Sequence, residues 1–387
     1  MRDRLLVLGL DAADRDLVRG WAEDGDLPCL AKLLESGVTI PVSTPPAVLE
    51  GAVWPTLITG SSPASHGMFA TLKIKPGTYE VEEAMRADRL PTPPFWAQLS
   101  RAGKRVAVID APFARPVRGL NGIQVTNWGA HDAWAWPRSS WPARLVRDLV
   151  RRFGPHPVPR CDSPGRSLHD YESLRDCLIS GVEKKTALLR HCLALEDWDL
   201  FFGIFSESHC AGHQLWHLMD SEHPRHAPEA PHSLRDALRA VYRALDAGLA
   251  ALLDAVPPGT HILLLLSHGM GPWYDGSHLL DALLDRLTQQ LVRGAPRSGP
   301  TWSPHPARGL LWRGRACLPP LVRQKVRELF PGPVARLWTW THPAPTFPWH
   351  TKSAFAMPSY NMTGGIRINL KGREPAGLVE PGRQYET

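Results

Sequence analysis

Residues 201–218, FFGIFSESHCAGHQLWHL, decide the fold prediction because they join a buried strand directly to a helix. The apolar run FFGIF predicts the strand, and the polar turn SES at 206–208 ends it. On the helix that follows, His209, His213 and His217 recur every four residues, so their side chains lie along one face. Such a crossing places polar side chains at the carboxyl end of a strand, where open α/β sheets carry their sites.

Two other predicted strands end in similar groups. Asp11 follows the apolar run RLLVLGL at 4–10, and His268 follows HILLLL at 261–266. A histidine pair alone is compatible with a solvated helix face, and Asp11 alone with a helix cap. The carboxyl ends of parallel strands meet at one edge of a sheet, however, so these groups are expected to converge. A carboxylate with several histidines suits zinc or manganese, with iron as a further alternative.

Strands and helices alternate along most of the chain, which is typical of a parallel sheet covered by helices. The predicted strands are residues 4–10, 38–43, 105–112, 200–205, 261–266 and 365–370. The predicted helices are residues 14–21, 28–36, 54–60, 94–104, 171–195, 209–218 and 233–253, the last capped by Ser233. We therefore predict an α/β fold with a doubly wound, mostly parallel sheet and helices on both faces.

The chain of 387 residues is long enough for one large α/β domain with insertions. Residues 1–387 are predicted to form a single domain. Segments at about 70–91, 128–165 and 285–350 lack the strand–helix rhythm and are predicted to be insertions that form a lid or cap.

The composition is that of a globular protein with a small anionic ligand. Hydrophobic residues make up 43% of the chain, and 44 basic against 38 acidic residues give a net charge of +6 without a basic tract. This balance favours a small anionic substrate and argues against a nucleic-acid polymer. The six cysteines show no paired spacing, so they are predicted to be reduced thiols of a cytoplasmic protein. No apolar run is long enough for a signal peptide or a membrane span, and the oligomeric state stays open.

Five stretches together resemble a known family. They are VLGLDAAD at 7–14, WPTLITGSSPASHG at 54–67, FSESHCAGHQLWHLMD at 205–220, LLSHGMG at 265–271 and GGIRINLKGREPAGLVEPG at 364–382. They resemble the type I phosphodiesterase/nucleotide pyrophosphatase branch of the alkaline phosphatase superfamily. The resemblance implies a doubly wound core with two zinc ions at its carboxyl edge. It also implies a Thr or Ser nucleophile that forms a covalent intermediate with phosphorus.

The sequence departs from the family pattern at four places. His209 stands where the family has an Asp, and Ser267 stands where it has a second Asp. The position of the nucleophile falls on Glu50. The last metal-binding His of the family has no counterpart before Thr387, unless His278, His342 or His350 replaces it. Truncation and evolutionary change are alternative explanations for that loss.

These departures suggest a rebuilt site. In this hypothesis Glu50, Asp11 and His268 hold one metal, and His209 and His213 lie beside it. Position 50 has no hydroxyl, so direct attack on phosphorus by a metal-bound water, with Glu50 or His209 as general base, is an alternative to a covalent Thr intermediate. Thr44 and Thr56 are nearby hydroxyls, and His66 is expected to be structural.

Substrate contacts are predicted from residues near the site motifs. Ser267 adjoins His268, and Asp275 and His278 follow within ten residues. Arg367 is predicted to pair with a substrate phosphate, with Lys371 and Arg373 as further cations. Exposed loop and turn positions explain the same residues without a functional role.

The leading function is a metal-dependent hydrolase of phosphate or sulfate esters, phosphodiesterase-like, with a non-standard site and one or two divalent metals, zinc first. The alternative is a repurposed homologue that binds or transforms a small metabolite without hydrolysis. The identity of the substrate is not predicted.

Overall fold

The computed structural model describes residues 3–43, 50–68, 72–83, 90, 92–129, 137–158, 166–272, 279–291, 349–357 and 365–383. The chain divides into two compact units. The first comprises Met1–Thr71 with Ala84–Asp275, and the second comprises Leu72–Glu83 with Gly276–Thr387. The interpretation of the three variable segments as a lid stays a prediction.

The described strands are β1 Leu5–Leu10, β2 Leu72–Ile74, β3 Val81–Glu83, β4 Val106–Ile109, β5 Gly122–Thr126, β6 Ser139–Trp141, β7 Leu200–Phe205, β8 His261–Leu265, β9 Ala354–Ala356 and β10 Ile366–Ile368. The described α-helices are α1 Arg15–Glu23, α2 Pro28–Ser36, α3 Val53–Thr59, α4 Pro63–His66, α5 Phe95–Arg101, α6 Leu145–Phe153, α7 Leu168–Leu193, α8 Glu207–Met219, α9 His232–Arg235, α10 Ala237–Leu253 and α11 Leu279–Leu291. Short 3₁₀ turns lie at Glu50–Ala52 and Trp349–Thr351.

A six-stranded sheet of order β6-β5-β4-β7-β1-β8 forms the centre of the first unit. All neighbouring strands run parallel except β6, which is antiparallel to β5. Leu10 pairs with Phe205, and Gly9 pairs with Leu265, so β1, β7 and β8 end at the same edge. This register confirms the mostly parallel sheet and brings the three predicted strand ends together.

Side chains of β1 alternate between two apolar clusters, which shows that both faces of the sheet are covered. Leu6 and Leu8 pack into a large cluster with residues of α1, α7, α8 and α10. Val7 points the other way, into a cluster that contains Trp54 of α3 and Trp96 of α5. The period of two along the strand therefore matches helices on both faces, as predicted.

The predicted strand at 38–43 is wrong. These residues form neither strand nor helix, and Val38, Ile40 and Val42 are 90%, 75% and 85% exposed. The alternation of apolar residues imitates a half-buried strand, but Pro41 lacks an N–H for a ladder. No sheet edge pairs with this segment within the described residues.

Regular structure also occurs where the sequence predicts an insertion. Within residues 128–165, β6 adds an edge strand to the sheet and α6 follows it. A strand of three residues is too short to show a period.

The start of the helix at 233–253 also differs from the prediction. A one-turn helix, α9, contains Ser233, and α10 begins only at Ala237 after Asp236. Ser233 is therefore not the cap.

Two small antiparallel sheets characterise the second unit. β2 pairs with β3, and β9 pairs with β10, around the buried side chains Ile74, Trp349 and Phe355. The hydroxyl of Tyr79 donates a 2.8 Å hydrogen bond to Asn369 Oδ1. The predicted last strand at 365–370 is thus the shorter β10, and it pairs with β9 and not with the six-stranded sheet.

None of the described helices is both long enough and apolar enough to cross a membrane. Four described cysteines, Cys29, Cys177, Cys192 and Cys210, are not joined in disulfides. Cys161 and Cys317 lie outside the described residues.

Candidate functional site

Asp11 is the centre of the candidate site. It follows β1 directly, and its backbone N–H donates to the carbonyl of Phe205 at 2.8 Å. Its buried carboxylate accepts from Trp54 Nε1 at 2.7 Å and from Ser267 Oγ at 3.3 Å, both on Oδ1. Oδ2 lies 2.8 Å from Nδ1 of His209. Both oxygens of the carboxylate are therefore held in place by the protein.

The surroundings of Asp11 keep its carboxylate charged. Burial alone would raise the pKa of Asp11, because a carboxylate loses water there. The charges of His209 and His268 and the hydrogen bonds from His209 and Trp54 outweigh burial and hold the pKa well below its usual range. An ionised carboxylate is the form that binds a metal.

His209 continues the hydrogen-bonded row from Asp11 to His213. The Nε2 atoms of the two histidines lie 2.9 Å apart, and their rings stack with centroids 4.7 Å apart. A contact of this kind between two ring nitrogens requires a proton on one of them. The row Asp11–His209–His213 can therefore hold and pass a proton along one face of α8.

His268 presents a ring nitrogen to Asp11 from the end of β8. Its Nδ1 lies 2.8 Å from the carbonyl oxygen of Gly269, which can only accept, so Nδ1 carries the hydrogen. In the neutral ring Nε2 then carries the lone pair, and it lies 4.0 Å from Asp11 Oδ1. Metal-binding histidines are commonly oriented in this way: the ring nitrogen that does not bind the metal donates a hydrogen bond to a backbone carbonyl.

Three of the predicted ligands fit a single metal. Ligand atoms of Asp11, His209 and His268 lie within 4.8 Å of one another. Across the described ranges, no other group of three or more His, Cys, Asp or Glu side chains meets this criterion. Two imidazoles and a carboxylate are a common ligand set for zinc with an open fourth position. His213 is brought to the site but contacts His209 instead of joining the group.

Ser267, next to His268, holds the loop that carries Asp11. Ser267 has a left-handed backbone (φ 51°), and its hydroxyl accepts from the N–H of Ala12 at 2.8 Å while donating to Asp11. The hydroxyl that replaces the family's second Asp thus fixes the loop after β1. We interpret Ser267 as a residue that positions Asp11, in addition to the substrate contact that the sequence predicts.

The remaining predicted site residues of the first unit differ in how far they can be placed. Glu50 begins the 3₁₀ turn before α3, and its side chain is outside the described part of the structure. Thr44 and Asp275 lie outside the described residues, as do His278 and His342 of the second unit. Thr56 Oγ1 lies 3.0 Å from Nε2 of the buried His66, which agrees with a structural role for His66.

The predicted cations of the second unit are paired with carboxylates. Arg367 and Arg373 both donate to Glu374 Oε1, at 2.7 and 2.8 Å, and Lys371 pairs with Glu380. The Glu374 side chain is almost fully buried. Contact of Arg367 with a substrate stays a prediction. His350 is exposed in the second unit.

Several residues around the site escape prediction from sequence. Trp54 lies in the quoted stretch at 54–67, but only the structure shows its N–H on Asp11. Lys185, in the middle of α7, and Asp110, directly after β4, form a fully buried ion pair. A lysine on the apolar face of a predicted helix is the signal that could have indicated it.

The chain is similar to one known protein family and, in part, to two solved structures. A model of the family "Type I phosphodiesterase / nucleotide pyrophosphatase" matches residues 5–325. Crystal structures of phosphonoacetate hydrolase from Sinorhizobium meliloti are similar in part, in complex with phosphonoformate (20% identity, TM-score 0.45) and with phosphonoacetate (19%, 0.48). Each similarity covers 73% of this chain and 62% of the other, so the chain spans less than two thirds of those structures. No curated protein sequence matches the chain significantly.

Proposed function

Because this chain belongs to the type I phosphodiesterase/nucleotide pyrophosphatase family, we propose that it is a metal-dependent hydrolase of phosphate or sulfate esters. The observation that carries this proposal is the convergence of Asp11, His209 and His268, whose ligand atoms lie within 4.8 Å of one another. These residues come from three separate strand ends, so their convergence is a property of the fold and not of local sequence. We propose that they hold one divalent cation.

The donor set favours zinc, with manganese or iron as alternatives. A cation held there would act as a Lewis acid that stabilises negative charge on the oxygens of the reacting ester. Asp11 would bind through its ionised carboxylate, and His268 through Nε2, the nitrogen opposite its bond to Gly269. To bind the cation, His209 would have to give up either the contact of Nδ1 with Asp11 or the contact of Nε2 with His213.

The chain's own acid–base groups support direct attack by water. Position 50 carries no hydroxyl, so the covalent Thr or Ser intermediate of the family is not proposed here. We assign proton removal from the attacking water to Glu50, or to His209 in the alternative in which that ring does not hold the cation. His213 supports His209 in this role, because the 2.9 Å contact between their Nε2 atoms lets a proton move to the outer ring.

The proposed substrate is a small anionic ester. A net charge of +6 without a basic tract supports a small anion, not a nucleic-acid polymer, as the partner. Ser267, Asp275, His278 and Arg367 remain the proposed substrate contacts. A cytoplasmic location is likewise part of the proposal, supported by the described cysteines, none of which is joined in a disulfide.

A second candidate function is a repurposed homologue that binds or transforms a small metabolite without hydrolysis. It is favoured by the closed hydrogen bonding of Asp11, whose two oxygens already accept from Trp54, Ser267 and His209. A carboxylate so fully bonded is stable within the protein without an ion.

Hydrolysis assays with metal-loaded protein distinguish the two functions. Bis(p-nitrophenyl) phosphate, p-nitrophenyl phosphate and p-nitrophenyl sulfate would be tested with zinc or manganese, alongside Asp11→Asn and His268→Ala. We expect turnover of at least one ester in the wild type and its loss in both variants. Absence of turnover in protein that binds the ion would favour the second candidate. Equal turnover in Asp11→Asn would contradict the proposed site.

A further inference from the structure

A second group of titratable side chains adjoins the candidate site, because Glu207 stands two residues before His209 in α8. Asp110, His156, Lys185 and Glu207, here called the buried ionic cluster, are all buried, with at most 8% of any residue exposed. Asp110 follows β4, and Glu207 is the first residue of α8. Charged groups are seldom fully buried unless they are paired, so the pairing within this cluster is its main structural feature.

His156 and Glu207 form one pair, and the protein leaves a specific space for it. Nε2 of His156 lies 2.9 Å from Glu207 Oε1. A Cβ atom at Gly181 would lie 2.6 Å from Nε2 of His156, and one at Gly129 would lie 2.6 Å from its Cδ2. The edge of Trp128 also contacts the ring, with centroids 5.4 Å apart. The imidazole is therefore confined on several sides, and its nitrogen faces Glu207.

Lys185 and Asp110 form the other pair, which connects the ends of β4 and β7. Lys185 Nζ binds Asp110 and also donates to the carbonyl of Ile204 in β7 at 3.3 Å. Asp110 accepts from the N–H groups of Trp128 and Gly129, both at 2.8 Å. This pair thus ties together the ends of β4 and β7 and the loop after β5.

The first turn of α8 connects the cluster to the candidate metal ligands. Ser206, at the N-cap, makes no side-chain capping bond. The next three residues are each held by a side chain: Glu207 by His156, Ser208 by the carbonyl of Asp11 at 2.7 Å, and His209 by the Asp11 carboxylate. The contact of Glu207 with His156 therefore fastens this turn to the core independently of Asp11.

We propose that His156 and Glu207 are positioning residues for the metal centre: their hydrogen bond fixes the first turn of α8 so that His209 meets Asp11. This inference rests on the proposed function only for its consequence in metal affinity, since the His209–Asp11 contact exists without an ion. A buried ion pair contributes little net stability compared with apolar residues of similar volume. In the double variant, which replaces both partners by apolar residues, the orientation of His209 is therefore expected to change more than the stability of the fold.

Gly181→Ala tests the proposal without altering any charged group. Its methyl group would displace the His156 ring, while alanine itself is favoured inside a helix. Gly20→Ala in α1 is the matched control, because a Cβ there meets no atom within 4 Å. Glu207→Gln retains an oxygen that can accept from His156 and serves as the conservative variant. The double variant His156→Leu/Glu207→Leu removes the pair altogether and covers the case in which Gly181→Ala fails to fold.

Two readouts separate this inference from the proposed function. In ion-free protein, NMR would follow the Nδ1–H of His209 in its hydrogen bond to Asp11. We expect this signal to be retained in Gly20→Ala and Glu207→Gln and lost in Gly181→Ala and the double variant. Zinc affinity, measured by chelator competition, should fall by about 10–100-fold in the same two variants.

An unchanged His209 signal in Gly181→Ala and in the double variant would overturn the inference. A wild type that binds none of zinc, manganese and iron while the variants show the expected NMR changes would refute the proposed function alone.

Discussion

Nδ1 of His209 lies 2.8 Å from Oδ2 of Asp11, although 198 positions separate the two residues in the sequence. The contact arises because β1 lies between β7 and β8, parallel to both, so the three strands end at one edge. His268 reaches the same point from β8. The candidate site is therefore a consequence of strand order, and its predictions can be tested residue by residue.

Trp54→Phe is expected to weaken metal binding by removing the N–H that donates to Asp11 Oδ1. The loss of such an outer partner typically costs about 10–100-fold in metal affinity. Trp96→Phe is the matched control, because Trp96 is equally buried and its Nε1 has no hydrogen-bond partner within the described residues. Zinc affinities of both variants, measured by chelator competition, check the prediction. Equal affinities would show that the Trp54 N–H has no role.

Glu50→Gln is expected to lower turnover by about 10²–10⁴-fold, the usual contribution of a general base. The fold should be unaffected, because the substitution preserves size at the start of a short 3₁₀ turn. Glu35→Gln, at an exposed position of α2, is the control for loss of an acidic group. Steady-state kinetics on the best ester would measure the change. Near-normal kcat in Glu50→Gln would remove this residue from the mechanism.

His217 is expected to make stability depend on pH. Burial, with the nearby charges of Arg225, His223 and His226, lowers the pKa of His217 from 6.5 to about 4. In the unfolded chain the ring takes up a proton near its usual pKa, while in the folded protein it stays neutral. The stabilisation from this difference is therefore present above pH 6.5 and is lost as pH falls towards 4.

His217→Gln should flatten this part of the pH profile. We expect the free energy of unfolding of the wild type to fall by roughly 1–2 kcal/mol more than that of the variant between pH 7 and 4.5, a figure discounted for partial solvent exposure. Denaturant unfolding at several pH values would measure it. His169→Gln, on the exposed histidine near the start of α7, should leave the profile unchanged. Parallel profiles for His217→Gln and the wild type would contradict the assignment.

Asp246→Ala is expected to lower the free energy of unfolding by about 1–2 kcal/mol, because it leaves backbone N–H groups at the start of α2 without their acceptor. The side chain of Asp246, in α10, accepts from the backbone N–H groups of Cys29 and Leu30 at 3.0 and 2.7 Å. Leu27 at the N-cap of α2 makes no side-chain capping bond, so Asp246 takes over that role from another helix. Denaturant unfolding, with Asp176→Ala at an exposed position of α7 as control, would measure the loss. Equal stabilities would contradict this capping role.

Much of the fold could be predicted because its central strands are almost wholly apolar. β1 and β7 are buried between helices on both sides, and such strands appear in sequence as short continuous apolar runs. The wrong predictions also come from reading local patterns. Residues 38–43 alternate like a strand but form none, and β6 is too short to show a pattern. Whether a segment finds a partner strand depends on contacts distant in sequence, which a local pattern does not contain.

The convergence of Asp11, His209 and His268 could be predicted from the sequence, but the residues that hold them in place could not. Asp11, His209 and His268 are polar residues at strand ends, and the sheet topology brings them together. Trp54 looks like a core residue in sequence, and its N–H acquires a role only through the packing of α3 on the sheet. His156 is similar, since its pairing with Glu207 depends on the space left by two glycines.

The metal content of the purified protein tests the central claim most directly. Protein stripped with a chelator, reconstituted with zinc and freed of excess ion would be analysed by elemental analysis, alongside Asp11→Asn and His268→Ala. We predict about one zinc ion per wild-type chain and a clear loss in both variants, since each removes one of three ligands. Failure of the wild type to retain zinc, manganese or iron, or undiminished binding in Asp11→Asn, would contradict a metal centre at Asp11, His209 and His268.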